Sequence, residues 1–193
     1  LEKTKAYENS LPTNRSIRSE KLPLVSYLDY ANHNPETTPS TIAQMCKEAV
    51  EYQFATVFTN PIFIPQVKRS LDGSGVNVGS IAGFPLGAYP TRIKVEEARN
   101  YIEMGADEID MVMAVGMLKA GEVQFVFDDI SQVASTVHKQ GKLIKVILET
   151  ALLTKYEKIL ACLICKEAGA DFVKTSTGFS KGGATVEDID LMR

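Results

Sequence analysis

Short apolar, β-branched runs alternate along this chain with stretches that carry the period of an amphipathic helix. The runs are Pro23 to Asp29, Phe54 to Thr59, Val76 to Ala82, Glu108 to Met113, Leu143 to Leu148 and Asp171 to Ser176. The helical stretches are Thr41 to Tyr52, Thr91 to Met104, Val123 to Gln140, Lys155 to Ala168 and Val186 to Arg193. Successive strands lie on the order of 30 residues apart, the length of a strand-helix unit with a right-handed crossover. Such a chain can build either a barrel or a doubly wound sheet. The dinucleotide-binding version of the doubly wound sheet needs G-x-G-x-x-G after its first strand. Here Gly73-Ser74-Gly75 precedes a strand instead, and no Walker A sequence occurs. The expected fold is therefore α/β, a TIM (β/α)8-type barrel with six βα units visible.

Composition narrows the function. The 193 residues give one domain of ordinary size, which we place at residues 23–193 behind a polar N-terminal arm at 1–22. With 45% apolar and 23% charged residues the chain is globular. A net charge of −3 leaves no basic surplus for a nucleic acid. Three cysteines and no apolar run of about 18 residues argue against a disulfide framework and a membrane span. The acids Glu2, Glu8 and Glu20 suit neither a signal nor a transit peptide, and the sequon at Asn14-Arg15-Ser16 is read as incidental. The expectation is a cytoplasmic protein.

An internal echo points to chemistry. Gly105-Ala106-Asp107-Glu108-Ile109-Asp110 and Gly169-Ala170-Asp171-Phe172-Val173-Lys174 share one form: glycine closes a helix, and a charge follows in the strand. Alternate strands of a parallel barrel feed the same interior layer, so Asp110 and Lys174 are expected to share one. Charges there are costly unless paired. Lys174 also ends its strand, where barrel enzymes place their chemistry. In a dry pocket its amine would lose its preference for charge and could attack a carbonyl to form a Schiff base. Lys145 in LIKVILET is a second cation at similar depth, with Glu149 or Asp110 as a purely structural partner in the alternative reading. Asp110 would carry the proton, and Asp29 adds a pocket carboxylate.

Other signals carry less. Cys162 and Cys165 have C-x-x-C spacing inside an apolar helical run and read as core. With only His33 and His138 available, no metal site is expected; His33 belongs to the first strand-helix loop and His138 to an exposed helix end. Gly83 to Gly87 reads as the pocket rim. Gly182-Gly183 could offer backbone N–H groups to an anion or be a simple loop.

The stretches GFPLGAYPTRIKVEEA, GADEIDMVM, LIKVILET and ADFVKTSTGFSKGGAT closely resemble the deoxyribose-phosphate aldolases, over roughly Leu28 to Arg193. The resemblance implies a metal-free class I aldolase with no cofactor. It would cleave 2-deoxyribose 5-phosphate reversibly to glyceraldehyde 3-phosphate and acetaldehyde. By position, Lys174 resembles the Schiff-base lysine and Asp110 the proton-relay carboxylate. Lys145, Asp29 and Thr177 resemble pocket residues, and Gly178 part of the phosphate-binding edge. The partner implied is a small phosphorylated sugar, with room for a homo-oligomer.

The pattern departs from the family at three points. The usual Asp-His-Thr-Leu-Leu reads Asp29-Tyr30-Ala31-Asn32-His33, which replaces a pocket hydroxyl by Ala31 and an apolar wall by His33. Phe58 stands where the family often has a small cysteine, and is expected to crowd the interior layer. The sequence also stops after the sixth strand and its helix, so we expect the barrel to continue in a longer chain. The alternative to an enzyme is an aldolase-like scaffold or binding protein that has lost the chemistry.

Overall fold

The computed structural model describes residues 23–193. The expected N-terminal arm and its sequon lie outside the described residues. Six strands form one parallel sheet in sequence order: β1 (Asp29–Asn32), β2 (Thr56–Thr59), β3 (Asn77–Ala82), β4 (Glu108–Val112), β5 (Leu143–Ile147) and β6 (Phe172–Lys174). The sheet curls as an open part of a TIM-type barrel, with β1 and β6 at its edges. Seven α-helices cover its outer face: α1 (Pro39–Tyr52), α2 (Ile64–Ser70), α3 (Thr91–Met104), α4 (Val115–Lys119), α5 (Val123–His138), α6 (Lys155–Glu167) and α7 (Val186–Met192).

Strands β2 to β5 are buried along most of their length, which favours near-continuous apolar, β-branched sequence, whereas β1 and β6 are only partly covered. Odd and even positions then divide the work. Ile109 and Met111 of β4, with Ile144 and Val146 of β5, point outward into a core shared with Ile130 and Val133 of α5. Val57 and Val78 do the same against Ile42, Met45 and Ala49 of α1 and Val67 of α2. Each such fully buried branched side chain contributes roughly 1.5–3 kcal/mol. The other face looks into the barrel.

Helix starts follow local chemistry. Thr38 caps α1 by accepting from Thr41 N–H, with Pro39 at the first helical position. Thr154 and Glu157 form a reciprocal capping box on α6. At the other end of α3, Gly105 adopts a left-handed conformation, and the chain then enters β4.

The first strand differs from expectation. Pro23 to Asp29 is largely a 3₁₀ turn at Leu24–Tyr27, and β1 begins at Asp29. Ser26 donates both its N–H and its hydroxyl to the Pro23 carbonyl, which closes a turn in place of a ladder. Leu24 and Tyr27 stay exposed, so no burial favours extending the strand backwards. Among the described residues no helix is long and apolar enough to cross a membrane.

Candidate active site

Strand register sets which side chains meet inside the sheet. Asp29 faces Thr56 and Ala31 faces Phe58; Phe58 in turn faces Gly79, and Asp110 faces Lys145. Ile147, two residues beyond Lys145 on the same face, pairs with Lys174. The stagger between neighbouring strands then brings Lys174 back toward β4. Its Nζ donates to Asp110 Oδ2 at 2.7 Å. Asp110 has no exposed side-chain surface, whereas Lys174 keeps 31% of its own. The lysine expected in a dry cavity thus keeps about a third of its side chain exposed among the described residues.

Lys145 is the most heavily partnered group. Its ammonium bonds to Glu108 and lies 3.3 Å from Asp29 Oδ2 and 3.5 Å from Asp110 Oδ1. Burial pulls its pKa down, but Asp110, Glu108 and Asp29 outweigh that and leave it above the ordinary lysine value. Glu149, one of its expected partners, is not among its ion pairs.

Glu108 is a site residue that the sequence reading missed. It is buried, and it accepts from Thr56 Oγ1 at 2.7 Å and Asn77 Nδ2 at 3.0 Å as well as from Lys145. Burial raises its pKa, but the bonds from Lys145 and Thr56 prevail and hold it below the usual range. Its signal was present: Glu108 lies two residues before Asp110, hence on the same strand face. Three carboxylates thus share two ammonium groups. Asp29 is the least well paired of them, and burial holds its pKa above the ordinary aspartate value despite Lys145.

Phe58 occupies the floor. It is fully buried, with Lys145 Nζ at 4.3 Å and Lys174 Nζ at 5.2 Å from its ring centroid. The crowding expected of it is relieved by its neighbours. A Cβ on Gly79 would fall within 2.5 Å of Phe58 Cδ1 and Cζ, so the ring uses space that only glycine leaves free.

At the mouth, His33 lies 5.1 Å from the Phe84 ring, and Phe84 meets Phe179 edge-on. These residues line a cavity of about 380 Å³ with Asn60, Glu97 and Tyr101. Burial, helped by the charge of Lys174, lowers the His33 pKa to about 4, so the imidazole is neutral at physiological pH. Its Nδ1 is buried with no hydrogen-bond partner among the described residues. The Gly83 to Gly87 loop, through Phe84, does form the rim.

Thr177 is bound to Glu149. Its N–H and hydroxyl both donate to Glu149 Oε2, at 3.2 and 2.5 Å, and Phe179 N–H donates to the same hydroxyl at 3.1 Å. Glu149 is buried and sits at φ 56°, a strained position for a residue with a side chain. Gly178 follows at φ 85°, with open space on the side a Cβ would occupy. Cys162 and Cys165 lie in α6, where burial raises both thiols, Cys162 to about 11. His138 ends α5 and pairs with Asp171 at 2.9 Å.

Residues 25–193 match the family described as DeoC/LacD family aldolase. This chain is a member of that family. The aldolase is 50% identical to the deoxyribose-phosphate aldolase of Thermococcus gammatolerans over 172 residues, 88% of this chain and 76% of the relative. It is 49% identical to the enzyme of the same name from Thermococcus kodakarensis over 175 residues, 90% and 78%. Among solved structures, a candidate deoxyribose-phosphate aldolase from Coccidioides immitis superposes with a TM-score of 0.88 at 36% identity, over 98% of this chain and 76% of the other. The Aeropyrum pernix deoxyribose phosphate aldolase, a tetramer, gives 0.79 at 29% identity, over 87% and 70%. The aldolase therefore spans about three quarters of the length of these relatives.

Proposed function

We propose that this aldolase cleaves 2-deoxy-D-ribose 5-phosphate reversibly to glyceraldehyde 3-phosphate and acetaldehyde, through a Schiff base on Lys174. The observation that carries the reading is the 2.7 Å contact between Lys174 Nζ and the wholly buried Asp110, in a chain half identical to enzymes of that name.

The reaction follows from that pair. Lys174 passes a proton to Asp110 and attacks the C1 aldehyde of the open-chain sugar. Asp110 returns that proton to the carbinolamine hydroxyl, which leaves as water as the iminium forms, and Asp110 is a carboxylate again. The iminium draws electrons from the C2–C3 bond. That bond breaks as the C3 hydroxyl loses its proton to the Asp110 carboxylate, directly or through water, and C3 becomes the aldehyde of glyceraldehyde 3-phosphate. The enamine left on Lys174 takes that proton back from Asp110 at C2, directly or through water, and water hydrolyses the resulting iminium to acetaldehyde and free amine. Lys145 supplies fixed positive charge beside Asp110 and does not itself bond carbon.

Asp29 is assigned to the polar wall of the pocket. Thr177 acts through the loop: tied to Glu149, it fixes the backbone at Gly178, where the substrate phosphate approaches. The three cysteines, all free thiols in the structure, suit a cytoplasmic protein, and self-association is proposed by analogy with the tetrameric relative. The scaffold alternative gains no specific support, because the amine and its carboxylate are assembled.

Borohydride trapping tests the reading. Protein treated with acetaldehyde and borohydride should carry an ethyl group on the peptide containing Lys174. An unmodified peptide, under conditions that label an authentic class I aldolase, overturns the assignment.

A further inference from the structure

The floor of the site is aromatic, and the strands on either side are cut back to admit it. In the sheet register Phe58 stands between Ala31 and Gly79, the two smallest side chains available. Its ring has no exposed surface, and both lysines lie within about 6 Å of its centroid, the range over which a ring face attracts a cation.

We propose that Phe58 is a positioning residue: its ring seats the ammonium groups of Lys145 and Lys174 side by side on the floor of the site, and Gly79 is the position that makes room for it. The proposal deepens the Schiff-base reading and rests on it for the role of Lys174. The physical need is plain. Two like charges converge on one carboxylate, Asp110, at 3.5 and 2.7 Å. A purely aliphatic floor would offer these cations no electrostatic attraction. The ring's negative face attracts both from below while Asp110 holds them from β4. In a buried setting the attraction is stronger than at a surface, because water does not compete.

The same attraction favours the charged form of each amine. The other titratable groups facing these amines are Asp29, Glu108 and Asp110, with His33 at the mouth. Each of them stays in place when only the ring's charge distribution is altered.

Fluorination of the ring isolates the effect, because 3,4,5-trifluorophenylalanine at position 58 weakens the negative face with little change of shape. The pH dependence of acetylation by acetic anhydride is followed separately for the peptides holding Lys145 and Lys174, in the full chain, with exposed Lys155 as reference. The expected result is a fall of both midpoints by about half a unit, with Lys155 unmoved. Phe58→Leu should lower them in the same direction, although its packing loss makes it the weaker test. Unchanged midpoints for both lysines in the fluorinated protein overturn the proposal. Borohydride trapping on the unsubstituted protein separates the two readings. Its failure sinks the Schiff base, while the labelling midpoints still decide what the ring does.

Discussion

Lys94 and Asp129 form an ion pair of 2.6 Å in which neither side chain has any exposed surface. The pair joins α3 to α5 on the outer side of the sheet. Lys94 Nζ also donates to the Val112 carbonyl at the end of β4 (3.0 Å), and Thr91 donates to the second Asp129 oxygen (2.7 Å). Both Asp129 oxygens and two of the three Lys94 N–H donors are thereby bonded, and the pair holds the strand end that follows Asp110. Removing one partner leaves the other charge buried without compensation. Lys94→Ala and Asp129→Ala should each lose about 3–5 kcal/mol in urea unfolding. The double variant Lys94→Met/Asp129→Leu should recover most of that loss, since an apolar pair of similar volume leaves no orphaned charge. A double variant no more stable than the worse single one would contradict this.

The catalytic pair can be dissected without dismantling the fold. Lys174→Met leaves Asp110 with Lys145 at 3.5 Å, so the buried carboxylate keeps a cation. We expect a loss of about 1–3 kcal/mol in urea unfolding, because Asp110 loses its hydrogen bond from Lys174 while keeping Lys145 nearby. Borohydride trapping and retro-aldol turnover should both be lost. Asp110→Asn keeps the shape but cannot accept the proton, and kcat should fall by about 10²- to 10⁴-fold. Trapping of acetaldehyde should survive in Asp110→Asn at a slower rate. A variant that trapped and turned over normally would remove Asp110 from the proton path.

How much of this could be read from residues alone depended on whether the signal was local. β4 and β5 stand out because both faces are buried and apolar runs result. Asp110 and Lys174 were found through the repeated Gly-Ala-Asp entry into their strands. The run at Pro23 misled because its apolar side chains are not buried, and a serine-closed turn replaces the ladder. Helices α2 and α4, of seven and five residues, are too short to show a period. Glu108 was placed in its strand but not in the site, because its partners Thr56, Asn77 and Lys145 come from three other strands. The Phe58–Gly79 pairing depends on register between strands, which no single stretch encodes. Phe58 therefore read as crowding, when the compensating glycine lay on the next strand.

The carboxylates of the site should respond to pH with opposite signs. Glu108 has a lowered pKa in the fold: burial raises it, but Lys145 and Thr56 outweigh that. Its contribution to stability is present above the unfolded value of 4.5 and is lost as pH falls through the folded value. Glu108→Gln should therefore destabilise at pH 7 and cost progressively less in acid. Asp29 has a raised pKa, caused first by burial, so its charged form is disfavoured in the fold. Asp29→Asn should stabilise at pH 7, with the difference closing below the ordinary value of 3.8. Urea midpoints across pH 3 to 8 would expose the pair of trends. Curves that moved in the same direction would show that the charge balance has been misassigned.

His33 gives a spectroscopic check on how dry the pocket mouth is. Burial, then the charge of Lys174, lowers its pKa from 6.5 to about 4. Its imidazole C–H resonances should therefore titrate near pH 4, while the unfolded chain titrates near 6.5. The sign for stability follows: the unfolded chain takes up a proton first, so stability falls as pH drops from 6.5 toward 4. His33→Leu should flatten that part of the acid-unfolding curve. A midpoint near 6.5 in the folded protein would mean that the ring is hydrated and the mouth open.

Gly79→Ala tests the space under the two lysines. A Cβ there would lie within 2.5 Å of Phe58 ring atoms, closer than any real contact, and the ring is fully buried. Overpacking of this kind costs about 1–3 kcal/mol. The loss should shrink when the ring is removed. Phe58→Ala alone opens a cavity and costs about 3–5 kcal/mol, but in that background the added methyl of Gly79→Ala fills empty space. The two substitutions should therefore couple by about 0.5–3 kcal/mol in a double-mutant cycle read by urea unfolding, with the double variant more stable than the sum of the singles predicts. Additivity would mean that the ring does not depend on the missing methyl, and that another feature of β3 requires glycine at position 79.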